Sequence, residues 1–519
     1  MQRWAMDAAG LALALAGLQG CGSSSSSGAP DASTTPDSGT DAPKDARMDG
    51  PEEASVDGGA DAAPDCGALP PTGKQIVKST DPLVILALTE DSHAIYEDLT
   101  SQLLYAVPVA GGAPSKIGMM TSQGRTIWTR GPAVLYLPSA ADPTTSIAPL
   151  SSWSAAGGTH VISPSILAVD SYYYTYDVSE DGSSVAYFAA TPTSSTATLT
   201  ISSADGKTQT PLVPNIDLTN MACFPPAVQF VKNTLVAQYC LAPAPATEVS
   251  TIATFAAPSF TQATIGTSFT PTPGPVPVDP AGKNLLLPGP TDSGLYLYPI
   301  GGGAPVVVDP QGNYAAFTPS GDIVYTTINT ALMRYDVATA TATMLVPTGL
   351  NYPLAVSPDG NWLQIAQFQD STTELTDLYV ASTTTPGTAK QIVSTATSSA
   401  LGFTADSTYG TFGTGFPATF GSATFDFQAA KTTGGAAFKV LSAANAPLYT
   451  SGAKLISNTN QSKTTGAADI VSVDLATNTP VTLVTQADPG LFLATSSELV
   501  YSWYCDENAT AGIWTTTVP

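Results

Sequence analysis

The sequence predicts an all-β fold built from repeated four-stranded units. From residue 66 onward the chain consists of short apolar stretches separated by turn residues, without an amphipathic helical pattern. An Asp-Gly turn, or a close variant of it, recurs at the same place in the units. The units recur at a spacing of about 40 to 54 residues, which is the length of a four-stranded propeller blade. We therefore predict a β-propeller.

One unit shows the complete pattern. It reads PLAVSPDGNWLQIAQF (353–368), then TDLYVAST (376–383), then AKQIVST (389–395). This order predicts strand, Asp-Gly turn, strand, loop, strand, loop, strand. The turn needs these two residues because Asp bonds its own backbone two residues on and Gly accepts a positive φ. Degraded copies of the opening stand at VSEDGSSVAY (178), FTPSGDIVY (317), DPAGKNLLL (279), FTADSTYGTF (403) and LTEDSHAIY (88).

These motifs resemble the repeat of TolB-type β-propellers, in which Ser-Pro-Asp-Gly precedes a β-hairpin. The strict form stands once, at Ser357 to Gly360. The resemblance covers most of residues 73 to 519 and depends on recurrence of the pattern. It implies four-stranded blades arranged around a central channel.

Ten units can be counted in the chain. Ten exceeds the four to eight blades that are usual. A large ring, units that are insertions, and two fused rings all remain open at this stage. The units begin near residues 82, 122, 176, 221, 275, 314, 353, 400, 446 and 491.

The two ends of the folded part fit together as one blade. The last unit offers three strands, GLFLAT, ELVYSWY and GIWTTTVP, and lacks a fourth. The stretch TGKQIV (72–77) matches the fourth strand AKQIV of the complete unit but has no blade before it. We therefore predict that the N-terminal strand pairs with the last blade and closes the ring. Closure would remove an open sheet edge, which otherwise invites aggregation.

The N-terminus carries a short apolar run from Ala8 to Leu18, followed by Leu18-Gln19-Gly20-Cys21. This sequence resembles the lipobox of bacterial lipoproteins. The resemblance implies a signal peptide over residues 1–21, lipidation of Cys21, and a lipid-anchored place in the cell envelope, at the outer membrane.

Residues 22–70 are predicted to be a disordered acidic tether. Ser, Asp, Pro and Gly dominate this segment, and residues 22–65 hold ten acids, two bases and no aromatic residue. Such a composition cannot bury enough apolar area to offset the loss of chain entropy on ordering. The propeller domain is then expected over residues 71–519.

Composition excludes one class of partner. The chain has 41 acids and 17 bases, and its net charge is −24. A surface this acidic repels nucleic acid and anionic lipid. We expect contact with the membrane through the lipid anchor only, a monomer, and an unknown protein or polysaccharide as partner.

Catalytic motifs give no candidate. The two histidines, His93 and His160, are predicted to be solvated turn or strand residues. The chain has no HExxH, Gly-x-Ser-x-Gly or Walker motif, so we predict no catalytic residue, no metal and no cofactor. Aromatic clusters at SYYYTYD (171–177) and SELVYSWYCD (497–506) could stack on sugars, although strands use the same residues for packing.

Four cysteines remain besides Cys21, and export to an oxidising compartment would allow them to pair. Cys223 and Cys240 flank AVQFVKNTLVAQY, a predicted hairpin that turns at Lys232-Asn233, so we expect a disulfide between them. If the first strand joins the last blade, Cys66 and Cys505 could also meet, which gives the second predicted disulfide.

The sequence leaves three classes of function open, and the third, a purely structural surface protein, differs from a binding module only in lacking a partner. The preferred interpretation is a binding or scaffold module for a protein or glycan partner. The alternative is an envelope enzyme, a glycan lyase or hydrolase, with its site at the channel mouth. Acids with histidine or metal at that mouth would favour the enzyme, whereas Ser, Thr and apolar residues would favour binding.

Overall fold

The computed structural model describes residues 73–518 except 121–126, 143, 170–173, 220–224, 243–249, 270–275, 290–293, 329–330, 348–351, 371–374, 397, 415–424, 461–467, 488–490, 496 and 506–509. In these residues the regular structure is entirely β, and strands join as antiparallel neighbours. None of the described segments is a helix long and apolar enough to cross a membrane. The predicted tether (22–70) and Cys21 lie outside the described residues.

The first strand of the structure is followed by three four-stranded units. We call each unit a blade and count blades from β2 onward. The strands are β1 (Lys74–Ser79), β2 (Leu83–Leu88), β3 (His93–Asp98), β4 (Leu103–Pro108), β5 (Ser115–Met119), β6 (Trp128–Arg130), β7 (Ala133–Tyr136), β8 (Ile147–Ser154), β9 (Gly158–Leu167), β10 (Tyr176–Val178), β11 (Ser184–Ala189), β12 (Thr196–Ser203) and β13 (Gln209–Asp217).

Blades 4 to 7 follow the same order of strands. In blade 5 the first strand is reduced to an isolated bridge between Val278 and Leu285. The strands are β14 (Ala227–Val231), β15 (Thr234–Tyr239), β16 (Ser250–Ala256), β17 (Thr261–Phe269), β18 (Asn284–Pro288), β19 (Leu295–Pro299), β20 (Val306–Asp309), β21 (Gly312–Phe317), β22 (Ile323–Thr327), β23 (Leu332–Asp336), β24 (Thr341–Val346), β25 (Tyr352–Val356), β26 (Trp362–Asp370), β27 (Leu375–Ser382) and β28 (Lys390–Ala396).

Blades 8 and 9 share one long strand, β32. Its first part pairs with β31 as the outer strand of blade 8, and its last part pairs with β33 as the inner strand of blade 9. The strands are β29 (Ser398–Phe403), β30 (Tyr409–Thr414), β31 (Phe425–Lys431), β32 (Phe438–Ser451), β33 (Lys454–Thr459), β34 (Ala468–Asp474), β35 (Thr479–Ala487), β36 (Leu491–Thr495), β37 (Glu498–Cys505) and β38 (Thr510–Thr517). The ten predicted units are therefore confirmed as ten blades.

The last blade is completed by the first strand of the structure. Its sheet has the order β1-β38-β37-β36, and β1 runs antiparallel to β38 with Lys74 opposite Thr515 and Ser79 opposite Ala511. The predicted pairing of the N-terminal strand with the last unit is thus present. Closure of the ring through that pairing stays a prediction.

Hydrophobic clusters join consecutive blades because the middle strands bury both of their faces. On β22, Ile323 and Tyr325 pack toward blade 5, while Val324 packs toward blade 7. A strand covered on both faces reads as a continuous apolar run instead of an alternating one. Another cluster joins the last blade to the first, with Val77 and Ile513 packed against Leu83. The blades therefore form one series.

The first strands of neighbouring blades contact one another along the inner side of the series. Contacts run from β36 to β2, then to β6, β10 and β14, and again from β21 through β25 to β29. These first strands therefore form the inner side of the series, which in propellers borders the central channel.

The Ser-Pro-Asp-Gly turn holds one rim of the propeller. Ser357 Oγ donates to Asp359 Oδ1 at 2.5 Å and accepts the Trp362 N–H at 2.9 Å. Gly360 takes φ +75°, and in the degraded copies Ser92 and Ser407 take the same left-handed conformation. The Asp359 N–H donates to Ser407 Oγ of the next blade at 3.0 Å. The recurring motif thus serves the architecture, both within a blade and between blades.

The repeated KQIV sequence also has a structural explanation. Lys390, at the start of β28, donates through Nζ to the Thr433 carbonyl of blade 8 at 2.7 Å. Lys74, at the start of β1, makes the equivalent bond to the Ala110 carbonyl of blade 1 at 2.6 Å. Each lysine therefore ties an outer strand to the next blade, and Lys74 does so across the two ends of the chain.

Candidate functional site

The candidate site lies at the inner edges of blades 2, 3 and 4. It consists of Trp128 and Arg130 on β6, Tyr174 just before β10, and Asp177 on β10; we call these four residues the channel-wall cluster. They come together because β6, β10 and β14 are the first strands of successive blades and contact one another. Inner strands of a propeller border the channel in which such folds place ligands.

Asp177 is the centre of the cluster and is only 1% exposed. Its carboxylate accepts the Trp128 Nε1–H at 2.7 Å and the Phe230 N–H of blade 4 at 2.6 Å. It also accepts the Val178 N–H at 2.8 Å. A buried carboxylate costs several kcal/mol unless such donors satisfy it. Asp177 therefore holds three blades in place, and its oxygens are already occupied by protein donors.

Arg130 crosses the inner edges of the same three blades. Its Nη1 lies 3.4 Å from Asp177 Oδ2 and donates to the carbonyls of Val178 at 3.2 Å and Phe230 at 2.9 Å. Its Nη2 lies 3.5 Å from the exposed carboxylate of Glu180. The arginine is thus fixed by neighbours on blades 3 and 4, and 11% of its side chain is exposed.

The aromatic pair is the half-exposed part of the cluster. The rings of Trp128 and Tyr174 meet edge to face, with centroids 5.2 Å apart and an interplanar angle of 82°. Both side chains are partly buried. Rigid aromatic rings beside hydrogen-bonding groups offer contact area at low entropic cost, which is how many binding sites recognise peptides and sugars. The cluster therefore combines aromatic contact area with hydrogen-bonding groups at one place on the inner strands.

The two aromatic stretches singled out in the sequence differ in the structure. In the first, Tyr174 belongs to the cluster, Tyr176 is buried, and residues 171–173 lie outside the described part. In the second, Tyr501 and Trp503 are buried in the core between blades 9 and 10. In the stretch 497–506, the described aromatic residues Tyr501 and Trp503 therefore serve core packing.

The environment of His93 corrects one expectation. We expected a solvated turn or strand residue, but His93 begins β3 with its side chain 19% exposed and its ring 5.8 Å from that of Trp153. Its Nδ1 lies 3.2 Å from Asp91 Oδ1. It is therefore a packed residue between blades 1 and 2. His160 lies within β9, opposite Ser152, and is half-buried.

The cysteine pairings stay predictions. Cys66 and Cys223 lie outside the described residues, Cys240 follows β15 and is 2% exposed, and Cys505 ends β37. The hairpin that should bring Cys223 near Cys240 is present, since Val231 pairs with Thr234 around a two-residue turn.

The strand register requires a long reach of the chain for the predicted pairing of Cys66 with Cys505. Lys74 stands opposite Thr515, which pairs with Val500, whereas Cys505 lies five residues further along β37. Five strand residues span about 17 Å. The chain between Cys66 and Lys74 must reach back by that distance, which is within the reach of about 27 Å that eight extended residues allow.

Sequence reasoning missed Arg130, Trp128 and Asp177 as a group. One signal was available, because the chain has only five arginines and charged residues make up only 11% of it. An arginine in such a chain indicates a specific carboxylate partner. The partner itself could not be chosen, since Arg130 and Asp177 are joined by blade packing and not by a motif.

Comparisons with known proteins show no family for this chain. No protein-family model and no curated protein matches this chain. A putative TolB from Agrobacterium tumefaciens is 13% identical over 50% of this chain and 94% of that chain, with TM-score 0.25. An oligogalacturonate lyase in complex with manganese is 15% identical over 56% and 81% of the two chains, with TM-score 0.31.

A solved structure from a study of two prolyl endopeptidases is 14% identical over 67% of this chain, with TM-score 0.37. The match spans only about half of that chain's length, 54%. At these TM-scores none of the similarities carries an argument about function. The β-propeller assignment follows from the strand pairings themselves.

Proposed function

We propose that this chain is a lipid-anchored binding module of the cell envelope whose channel wall docks a protein or glycan partner. The observation that supports binding is the half-exposed Trp128–Tyr174 pair, held rigid by Asp177 and Arg130. A preformed aromatic surface loses little entropy on docking, which favours affinity. The acidic surface makes nucleic acid an unsuitable partner, and the protein acts as a monomer.

The anchoring part of the proposal comes from the N-terminal sequence. Acylation at Cys21 holds the propeller at the outer membrane, and residues 22–70 act as the tether. Stable attachment needs more than one acyl chain, as in mature lipoproteins.

The alternative, an envelope enzyme, needs a carboxylate or imidazole able to exchange a proton at the channel mouth. In the channel-wall cluster, the Asp177 carboxylate instead accepts bonds from two backbone N–H groups and one indole N–H. This satisfied carboxylate favours the binding proposal at this place in the fold.

The test is capture of partners from intact envelopes with purified chain. Tyr174→Ala removes one ring of the pair and should weaken capture by roughly tenfold or more, the effect of losing an aromatic anchor. The matched control is Tyr105→Ala, since Tyr105 stacks on Tyr96 in blade 1 with centroids 5.4 Å apart and lies on β4, the third strand of that blade, away from the cluster. Equal capture by both variants would remove the cluster from the proposal.

A further inference from the structure

A second candidate site lies between blades 7 and 8. A cavity of about 390 Å³ opens there, at the rim that carries the Ser-Pro-Asp-Gly turn. Its volume falls in the range of small-molecule sites, which is roughly 300–1,000 Å³. The lining is rich in hydroxyl groups, among them those of Thr384, Thr385, Thr388 and Thr433, and it includes Trp362 and Lys390.

The polar groups of this cavity are fixed by the turn between β27 and β28. Ser382 Oγ accepts the N–H groups of Thr384 and Thr385, each at 3.1 Å. Thr388 Oγ1 accepts the Ser382 N–H at 3.0 Å and donates to the Thr385 carbonyl at 2.8 Å. These bonds engage the hydroxyl groups of Ser382 and Thr388 within the turn and fix its backbone. The exposed side chains of Thr384 and Thr385 are therefore held on a preorganised turn, which lowers the entropic cost of binding.

Lys390 adds hydrogen-bond donors at the edge of the cavity. An ammonium group has three protons. One of them is used by the bond to the Thr433 carbonyl at 2.7 Å. Lys74 makes the same contact with the Ala110 carbonyl at the junction of blades 10 and 1, so the lysine–carbonyl bond by itself belongs to the architecture. The cavity at the junction of blades 7 and 8 is formed by the Thr-rich turn and Trp362.

The charge of the surroundings decides which ligand fits. Asn361, a lining residue, donates through Nδ2 to the Asp359 carboxylate at 3.0 Å. Burial opposes the charged form of Asp359, but bonds from Ser357 and Asn361 outweigh burial and keep the pKa of this carboxyl below its usual value. The ionised Asp359 carboxylate beside the cavity offsets the positive charge of the lining Lys390, so the two charges together give no preference for an anion. Hydroxyl groups both donate and accept, which suits an uncharged polyol.

We propose that the blade 7–8 cavity binds a neutral pyranose sugar. The lining hydroxyls and Lys390 bond to the sugar hydroxyls, and the sugar ring packs against Trp362. This site is separate from the channel-wall cluster, and its test uses different residues, so either proposal can fail without the other.

The experiment is a saturation-transfer NMR titration of the full chain with methyl β-D-glucopyranoside. We expect binding with a Kd on the order of millimolar, the usual scale for a small ligand held by a few hydrogen bonds. Lys390→Met keeps the aliphatic stem, removes the donors and should weaken binding about tenfold. Lys74→Met removes the equivalent lysine where no Thr-rich turn adjoins it, and binding should stay unchanged.

Three results would overturn the proposal. They are the absence of saturation transfer to the glucoside, equal weakening by Lys390→Met and Lys74→Met, and displacement of the glucoside by glucuronate or inorganic phosphate at lower concentration than by glucose. Circular dichroism of both variants, unchanged from the parent, establishes that a loss of binding is local. A Thr385→Val variant, which removes a lining hydroxyl at an exposed position, should reproduce the loss if Lys390→Met unfolds the blade.

Discussion

Closure of the ring by the N-terminal strand can be tested by removing the side chain that docks it. Ile76 lies on β1, is 8% exposed and packs with Leu83, Val500 and Ile513, which belong to the first and last blades. Ile76→Ala removes three carbons from this cluster. In a protein core such a change lowers the free energy of unfolding by about 2–5 kcal/mol. For an outer strand we expect the lower end of this range, about 2–3 kcal/mol.

The consequence should be visible in amide exchange of the neighbouring strand. Detachment of β1 frees the N–H groups of β38 that pair with it, so exchange in the peptide Thr510–Thr517 reports local opening. A cost of about 2–3 kcal/mol raises the open population by roughly 30- to 150-fold, since each 1.4 kcal/mol is a factor of ten. Mass spectrometry of exchange at neutral pH measures this factor directly.

Two variants serve as controls for this experiment. Lys78→Ala changes an exposed side chain of the same strand and should leave the exchange of β38 unaltered. Ile392→Ala changes the same position of the KQIV repeat in β28, so it should raise exchange in β27 and not in β38. If Ile76→Ala leaves the peptide Thr510–Thr517 within twofold of the parent, the docking of β1 does not close the ring.

The other predictions concern the anchor, the tether, the disulfides and the rim turns. Cys21→Ala should move the protein from the membrane to the soluble fraction on cell fractionation, and an unchanged distribution would contradict the lipobox. Proteolytic trimming of residues 22–70 should leave the melting temperature of the remainder unaltered, because their composition cannot form a core; a drop of several degrees would show that they pack. Mapping of non-reduced peptides should recover both predicted disulfides, and free thiols at these positions would refute them. Asp359 has a pKa below its usual value, so its turn should stabilise the fold above about pH 4 and lose that contribution as the pH falls further. Asp359→Asn should reduce the loss of unfolding free energy at low pH, measured by urea unfolding between pH 2 and 7. The same loss in the parent and the variant would assign it to other groups.

Blade number and strand order were predictable from the sequence because both depend on local signals. A blade is a meander of neighbouring strands, so each pairing joins segments close in the chain and is marked by a turn such as Ser357–Gly360. The sequence also predicted that the KQIV strand at the start supplies the fourth strand that the last unit lacks. The pairing of β1 with β38 differs only in joining residues far apart in sequence.

Only the tertiary structure decided how blades meet and what their inner edges present. Arg130 and Asp177 stand 47 residues apart, and their contact depends on the side-by-side packing of β6 and β10. The packed position of His93 likewise comes from Trp153 of the next blade. The cavity beside Lys390 exists because a turn of blade 8 covers the Thr-rich turn of blade 7. The sequence by itself determined the repeat, since strand and turn preferences act over a few residues. The sites arise where two repeats touch, and that geometry is set by long-range packing.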